Sequence, residues 1–352
     1  MSDLFGGKKE GRAMVGGPGR GLRFIFLLAI LSGLMLFGGC KQQEAPKATP
    51  VALEPVVLCR GTNMHLPLLV AEQQGFFAEQ ELAVSIREFT VGRDALEAML
   101  KGECDLATAA EPPVVEYASK RDDLRILCSL QSSDNLNRLV GRADRGIVTP
   151  LDLRGKRIGT VKGTAPHYFL ELFLAKYGLT PKDADIVFMK SDGLLGALAS
   201  GQIDAIAMTN NVIVQAQQAL QANAVLLEAP GLYRNYVMLL STTGLLAKRP
   251  KLAARFLRAV AQAEDLINQR PEAAEAVALA SQKVAPAELK HLLAFYQYQL
   301  VLDHALLMGL EDTARWTRLQ SGDSQRPISN FLNLMSVEPL RAVRPDGVRL
   351  EK

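Results

Sequence analysis

Short apolar runs alternate with amphipathic stretches along most of the chain, and small or turn-forming residues punctuate them. Val56–Arg60 reads as a buried strand, and Leu66–Phe77 as a helix that closes near Gly75. Ala83–Phe89 alternates as a strand, Asp94–Lys101 is helical up to Gly102, and Leu106–Ala110 is a buried strand stopped by Glu111-Pro112-Pro113. Val114–Ser119 reads as a helix; Leu124–Leu130 and Arg138–Gly141 read as strands. The grammar then restarts. A turn at Asp152–Lys156 feeds a strand ending at Val161, followed by a helix over His167–Tyr177. Asp185–Met189 and Ile203–Met208 are strands around a helix over Leu194–Ser200. Tyr236–Ser241 is one more strand. Beyond it the pattern predicts helices over Lys251–Gln269, Pro271–Ser281 and Pro286–Val301, with an irregular tail from Arg326. Strands alternating with helices of this length predict an α/β fold built on mostly parallel sheets.

The two stretches echo each other. Gly61-Thr62-x-x-His65 recurs as Gly163-Thr164-x-x-His167, at an offset of 102. Ala98-x-Leu100-x-Gly102-x-x-Asp105 recurs as Ala197-x-Ala199-x-Gly201-x-x-Asp204, and Phe89 as Phe188, at an offset of 99. Two matching α/β halves predict two lobes with a cleft between them. The expected boundaries are lobe 1 over 56–140 plus 236–345 and lobe 2 over 141–235, with the C-terminal helices on lobe 1.

The 352 residues carry 40 Lys+Arg against 37 Asp+Glu, with 48% hydrophobic residues. That balance excludes a disordered or collagen-like chain. The net charge of +3 is concentrated in residues 1–39, and the remainder is neutral, which argues against nucleic acid as a partner. Arg20 and Arg23 precede an apolar run, Phe24–Phe37, followed by Gly38-Gly39-Cys40. A basic region, a short apolar core and small residues form a secretory signal over 1–39. The end resembles a bacterial lipobox with Phe37 where Leu is usual, so Cys40 is expected to be lipidated; an uncleaved signal anchor is the alternative. Residues 40–55 then read as a lipidated tether, and the rest of the chain as exported, on the periplasmic or cell-surface face of a membrane. Of the other cysteines, Cys59, Cys104 and Cys128, at most two can bridge, and their spacing matches no metal or redox motif.

Open α/β sheets bind ligands beyond the carboxyl ends of their strands. Here those positions are Thr62, Asn63 and Met64; Ala110 and Glu111; Ser132, Ser133 and Asp134; Gly163, Thr164 and Ala165; and Thr209, Asn210 and Asn211. Helix starts at such turns have free N–H donors and suit an anionic group. No Gly-Lys-Ser/Thr follows, so ATP is not expected. Neither a Ser/His/Asp set, a Cys-His pair nor a carboxylate dyad stands out, so no enzyme and no cofactor are expected. His65 and His167 read as packing residues at helix starts in preference to a metal pair. Tyr236 is a candidate aromatic wall.

Gly-Thr at the first strand end, Ala-Glu-Gln-Gln-Gly-Phe-Phe (71–77), Gly-Glu-Cys-Asp-Leu-Ala (102–107) and Asp-Leu-Arg-Gly-Lys-Arg-Ile-Gly (152–159), after an export signal, resemble a solute-binding protein. The resemblance is to the aliphatic-sulfonate, taurine, nitrate and thiamine-pyrimidine receptors of ABC importers. It implies a periplasmic-binding-protein type II architecture with two lobes joined by two hinge strands, closure around a ligand, monomeric action, and a membrane permease and ATPase as partners. Carried onto this sequence, it implies ligand contacts from Asn63, Met64, Glu111, Ser133, Thr164, Ala165, His167 and Asn210. Thr164 and the Ala165 N–H would hold a sulfonate-like oxyanion, and Glu111 would pair an ammonium, which together fit a zwitterion such as taurine. Nitrate, a thiamine-precursor pyrimidine and a ligand-binding sensor ectodomain remain the alternatives.

Overall fold

The computed structural model describes residues 52–61, 65–281, 286–322 and 327–350. The expected signal peptide, Cys40 and most of the tether lie outside the described residues, as do Thr62, Asn63 and Met64.

The first half builds β1 (Glu54–Gly61), α1 (Leu66–Gln73), α2 (Phe76–Glu79), β2 (Leu82–Phe89), α3 (Gly92–Leu100), β3 (Leu106–Ala109), α4 (Glu111–Ala118) and β4 (Leu124–Ser133). The second half builds β5 (Asn137–Arg142), β6 (Arg157–Thr160), α5 (Ala165–Lys176), β7 (Asp185–Phe188), α6 (Ser191–Ser200), β8 (Ala205–Thr209), α7 (Asn210–Leu220) and β9 (Ala224–Leu227). The chain then returns through β10 (Asn235–Thr242) and α8 (Thr243–Lys248). It continues with α9 (Leu252–Gln269), α10 (Pro271–Ala280), α11 (Pro286–Phe295), β11 (Gln297–Asp303), α12 (His304–Ser321), α13 (Val337–Arg341) and β12 (Val348–Arg349).

Two sheets result, ordered β12-β11-β4-β10-β3-β1-β2 and β7-β6-β8-β5-β9. Each contains a parallel three-strand unit, β2-β1-β3 in one and β7-β6-β8 in the other. Beside each unit lies an antiparallel strand that arrives from the other half, β10 on β3 and β5 on β8. The sheets are therefore mixed: the crossing strands β10 and β5 run against the parallel sets, and so do β11 and β12 in the first sheet. The first crossing falls between Ser133 and Asn137, so the second sheet starts before residue 140.

Burial explains the strand pattern. All four residues of β3 are buried, and β4 is buried along nearly its whole length, as expected for strands covered on both faces. A large core wraps the first sheet, including Leu58, Leu69, Leu96, Leu106, Ile126 and Phe256. The second sheet has a core on each face: Phe169, Phe173 and Leu139 on the α5 side, and Leu194, Ile206 and Ile213 on the α6–α7 side. Helix α9 buries Leu252, Phe256, Leu257, Val260 and Ile267 on one stripe. Each such side chain contributes roughly 1.5–3 kcal/mol.

One expectation fails outright. The helix predicted over Pro286–Val301 stops at Phe295, and Gln297–Asp303 pairs with β4 as a strand. Tyr298 and Leu300 alternate with exposed Gln297 and Gln299, a period of two that the apolar density of the segment masks. The tail also carries more order than its composition indicates, with α13 and β12 docked on the first lobe. Cys59 on β1 and Cys104, just before β3, form a disulfide with their Cα atoms 5.9 Å apart, and Cys128 is free and buried. Disulfides persist in oxidising compartments, which agrees with export. Among the described residues no helix is long and apolar enough to cross a membrane.

Candidate functional site

Strand carboxyl ends from both sheets face a common cleft. It encloses about 690 Å³ of non-protein space, a figure that includes open solvent. The residues that precede five helices line it: His65 before α1, Val91 before α3 and Ala110 before α4 on the first sheet, and Thr164 before α5 and Thr209 before α7 on the second. None of these five caps its helix through its side chain. Part of these first turns is already committed: Pro67, Pro112, Pro113 and Pro166 carry no N–H, Leu68 and Asp94 donate back to the residues before their helices, and Asn210 donates to the Leu136 carbonyl. The remaining first-turn N–H groups, among them those of Gly92, Arg93 and Ala165, have no partner inside a helix and are left to what occupies the cleft. Five positive helix ends pointing at one space favour an anion there.

The rest of the lining is mostly apolar, with Ala109, Pro113, Pro166, Met208, Val212 and Val237 prominent. Its charged member is Arg93, on α3. One guanidinium nitrogen donates to Glu116 Oε2 at 2.5 Å and to the Gly163 carbonyl at 2.9 Å. That second bond crosses from the first lobe to the second. Gly163 has φ +67°, and a Cβ there would fall 2.4 Å from Arg93 Nη2, so this crossing needs glycine. His65 lies 2% exposed, with Nε2 3.0 Å from Thr108 Oγ1. Burial, reinforced by Arg60, pushes its pKa down to about 3, so it stays neutral and supplies no cation to an anionic ligand.

Among the residues expected from sequence, Thr164, Ala165 and Thr209 line the cleft. Thr62, Asn63 and Met64 lie outside the described residues. The others sit elsewhere. Glu111 is fully buried behind the cleft, where Tyr233 Oη (2.8 Å) and Asn235 Nδ2 (2.9 Å) donate to Oε2, and the Tyr236 N–H (2.9 Å) donates to Oε1. It therefore pairs the returning chain and not an ammonium in the cleft. Burial raises its pKa to about 7 in spite of these donors. Ser133 is buried at the first crossing, its Oγ accepting from the Asn135 N–H. Tyr236 is buried with its ring against Gly309 of α12 and forms no cleft wall. Gly163 contributes its carbonyl to Arg93 and its N–H to His167 Nδ1 (3.2 Å). The His167 ring is buried, edge-on to Phe188 and Trp316, with Nε2 3.1 Å from Glu171 Oε1. Asn210 opens α7, and its Oδ1 is buried with no partner. Among the described residues no cluster of His, Cys, Asp and Glu could hold a metal ion.

The sequence reading missed Gly92, Arg93, Thr108 and Asn235. Gly92 and Arg93 follow the carboxyl end of β2, a position that the strand-end rule covers and that could have been found. Asn235 reaches the cleft through the return of the chain, which no local signal marks.

Three comparisons bear on this geometry. A protein of Brucella abortus (strain 2308) named as a binding protein is 24% identical over 224 residues, 63% of this chain and 69% of that protein. The taurine-binding periplasmic protein of Escherichia coli (strain K12) is 27% identical over 139 residues, 39% of this chain and 43% of that protein. The solved alkanesulfonate-binding protein of Xanthomonas axonopodis pv. citri, bound to MOPS, superposes with a TM-score of 0.67 at 21% identity, covering 80% of this chain and 97% of that one. This last likeness shows a shared fold, that of periplasmic binding proteins. Residues 62–274, more than half of the chain, match the family described as NMT1/THI5 like, and the chain belongs to that family.

Proposed function

We propose that this protein is the extracytoplasmic solute-binding component of an ABC importer, that it captures a small organic anion of the sulfonate type between its lobes, and that it delivers this ligand to a membrane permease. The carrying observation is the convergence of five helix starts without side-chain caps on a cleft whose described lining holds no carboxylate. The apolar lining favours an organic anion over nitrate. The described lining contains no Phe, Tyr or Trp, which disfavours a stacked pyrimidine. The names of the taurine-binding and alkanesulfonate-binding relatives support the same ligand class. Binding without turnover is the proposed activity: the one cleft histidine is held neutral against Thr108, and Cys128 is buried away from the lining. Lipidation at Cys40 and anchoring to a membrane belong to the proposal.

Titration calorimetry with short alkanesulfonates, taurine, nitrate and 4-amino-5-hydroxymethyl-2-methylpyrimidine tests it. Saturable one-to-one binding of a sulfonate is the expected result. Binding of the pyrimidine or nitrate alone would overturn the ligand class.

A further inference from the structure

Asn235 is the first residue of β10, where the chain returns from the second sheet to the first, and it lines the cleft while only 2% exposed. Its Nδ2 lies 2.9 Å from Glu111 Oε2 and 3.1 Å from Tyr233 Oη. The Tyr233 hydroxyl itself donates to Glu111 Oε2 at 2.8 Å, so its oxygen is free to accept from the amide. Above about pH 7, where Glu111 is ionised, its carboxylate only accepts, which dictates the amide orientation: the NH2 group faces Glu111 Oε2 and Tyr233 Oη. The carboxylate cannot swing away, because the Tyr236 N–H holds its other oxygen at 2.9 Å.

We propose that Asn235 Oδ1 is a fixed hydrogen-bond acceptor in the cleft, so that the preferred ligand is an organic anion whose tail carries an O–H or N–H donor. This deepens the proposed function and rests on it. Once ionised, Glu111 places a buried negative charge behind the amide, which polarises Asn235 and strengthens its carbonyl as an acceptor. Other polar side chains of the lining face inward bonds of their own. The Thr164 hydroxyl donates to the Val161 carbonyl at 2.7 Å, and the Thr209 hydroxyl to Asn211 Oδ1 at 2.7 Å. A ligand without a donor would close the cleft over an unpaired carbonyl, and sites built this way discriminate strongly against the analogue that lacks the group. Glu111 is a positioning residue here: it acts on the ligand through Asn235 and does not touch it.

The test is a pair of ligands with the same anion, ethanesulfonate and 2-hydroxyethanesulfonate, titrated at a pH well above 7, where Glu111 is ionised, into the wild-type protein and into Glu111→Gln. The wild type is expected to prefer the hydroxylated ligand by roughly tenfold or more. In Glu111→Gln the preference should fall toward unity, because a glutamine amide can donate as well as accept and no longer fixes Asn235. Equal affinities in the wild type would overturn the inference and leave the anion reading intact. If neither ligand binds, the anion reading itself fails and the inference with it. A preference that survives unchanged in Glu111→Gln would overturn the positioning role of Glu111. The wild-type pair needs no variant, so the acceptor stays testable should Glu111→Gln fold poorly.

Discussion

The two halves of the molecule are built to one plan and finished differently. His65 and Thr164, which precede α1 and α5, are 99 residues apart. So are Ala110 and Thr209 before α4 and α7, the first residues of α3 and α6, and the strand-end pairs Gly61–Phe89 and Thr160–Phe188. The repeat is thus one of backbone. At equivalent positions the side chains diverge: neutral His65 against Thr164, and Glu111, its carboxylate held by three donors, against Asn210, whose Oδ1 has no partner. The strand-end-to-helix geometry that makes an anion site is what both halves keep. Of the side chains that differ, Glu111 is the one that joins its half to a crossing strand, β10.

The largest expected effect breaks that contrast at its sharpest point. Glu111→Ala would strand the Tyr233 hydroxyl, the Asn235 amide and the Tyr236 N–H in the interior. A loss of about 3–5 kcal/mol is expected. Its counterpart, Asn210→Ala, removes an atom without a partner and should cost no more than about 1 kcal/mol. Urea unfolding of the two variants side by side reads the difference, and similar losses would refute the asymmetry.

Acidity sharpens the same point. Burial raises the Glu111 pKa from 4.5 to about 7, so the folded state holds the proton more tightly than the unfolded chain does. The stabilisation from this group is fully present below about pH 4.5 and is lost as pH rises through about 7. The full span is at most about 3 kcal/mol. Thermal unfolding of wild type and Glu111→Gln across that window should diverge toward alkaline pH. Parallel curves would show that Glu111 does not titrate there.

Smaller effects follow at the glycines. A Cβ on Gly61 would meet the Gly92 backbone nitrogen at 2.8 Å, whereas the equivalent Thr160 carries a side chain whose hydroxyl donates to the Ala207 carbonyl. Gly61→Ala should cost about 1–3 kcal/mol and weaken ligand binding by displacing the start of α3. An unchanged melting temperature would contradict that close contact. Gly163→Ala meets a movable guanidinium and a left-handed backbone, so about 1 kcal/mol is expected. Its more telling readout is small-angle scattering, where loss of the Arg93 crossing should loosen the two lobes.

Much of this plan was readable in the chain, because strands buried on both faces and glycine-stopped helices leave local marks. Thr164, Ala165 and Thr209 followed from the rule that ligands sit beyond strand carboxyl ends. The paired Gly-Thr-x-x-His motif, by contrast, misled. Its offset of 102 lies three residues out of step with the structural repeat, so Gly61 ends a strand while Gly163 sits in the turn beyond one. Side chains delivered by the returning chain were invisible for a physical reason: their neighbours are remote in sequence. Asn235 meets Glu111 across 124 residues, and Trp316 on α12 donates to Glu171 Oε2 across 145, tying the last long helix to the second lobe. Strand β11 was lost because its alternation is short and dense in apolar residues.

The central claim is that helix starts facing the cleft hold an anion. Ala165→Glu tests it most directly, because an acid in the first turn of α5 suits the helix itself while placing a negative charge in the cleft. Calorimetry should show a sulfonate binding the wild type and failing to bind this variant, with the melting temperature of the free protein maintained. Equal sulfonate affinity in both proteins would contradict the account.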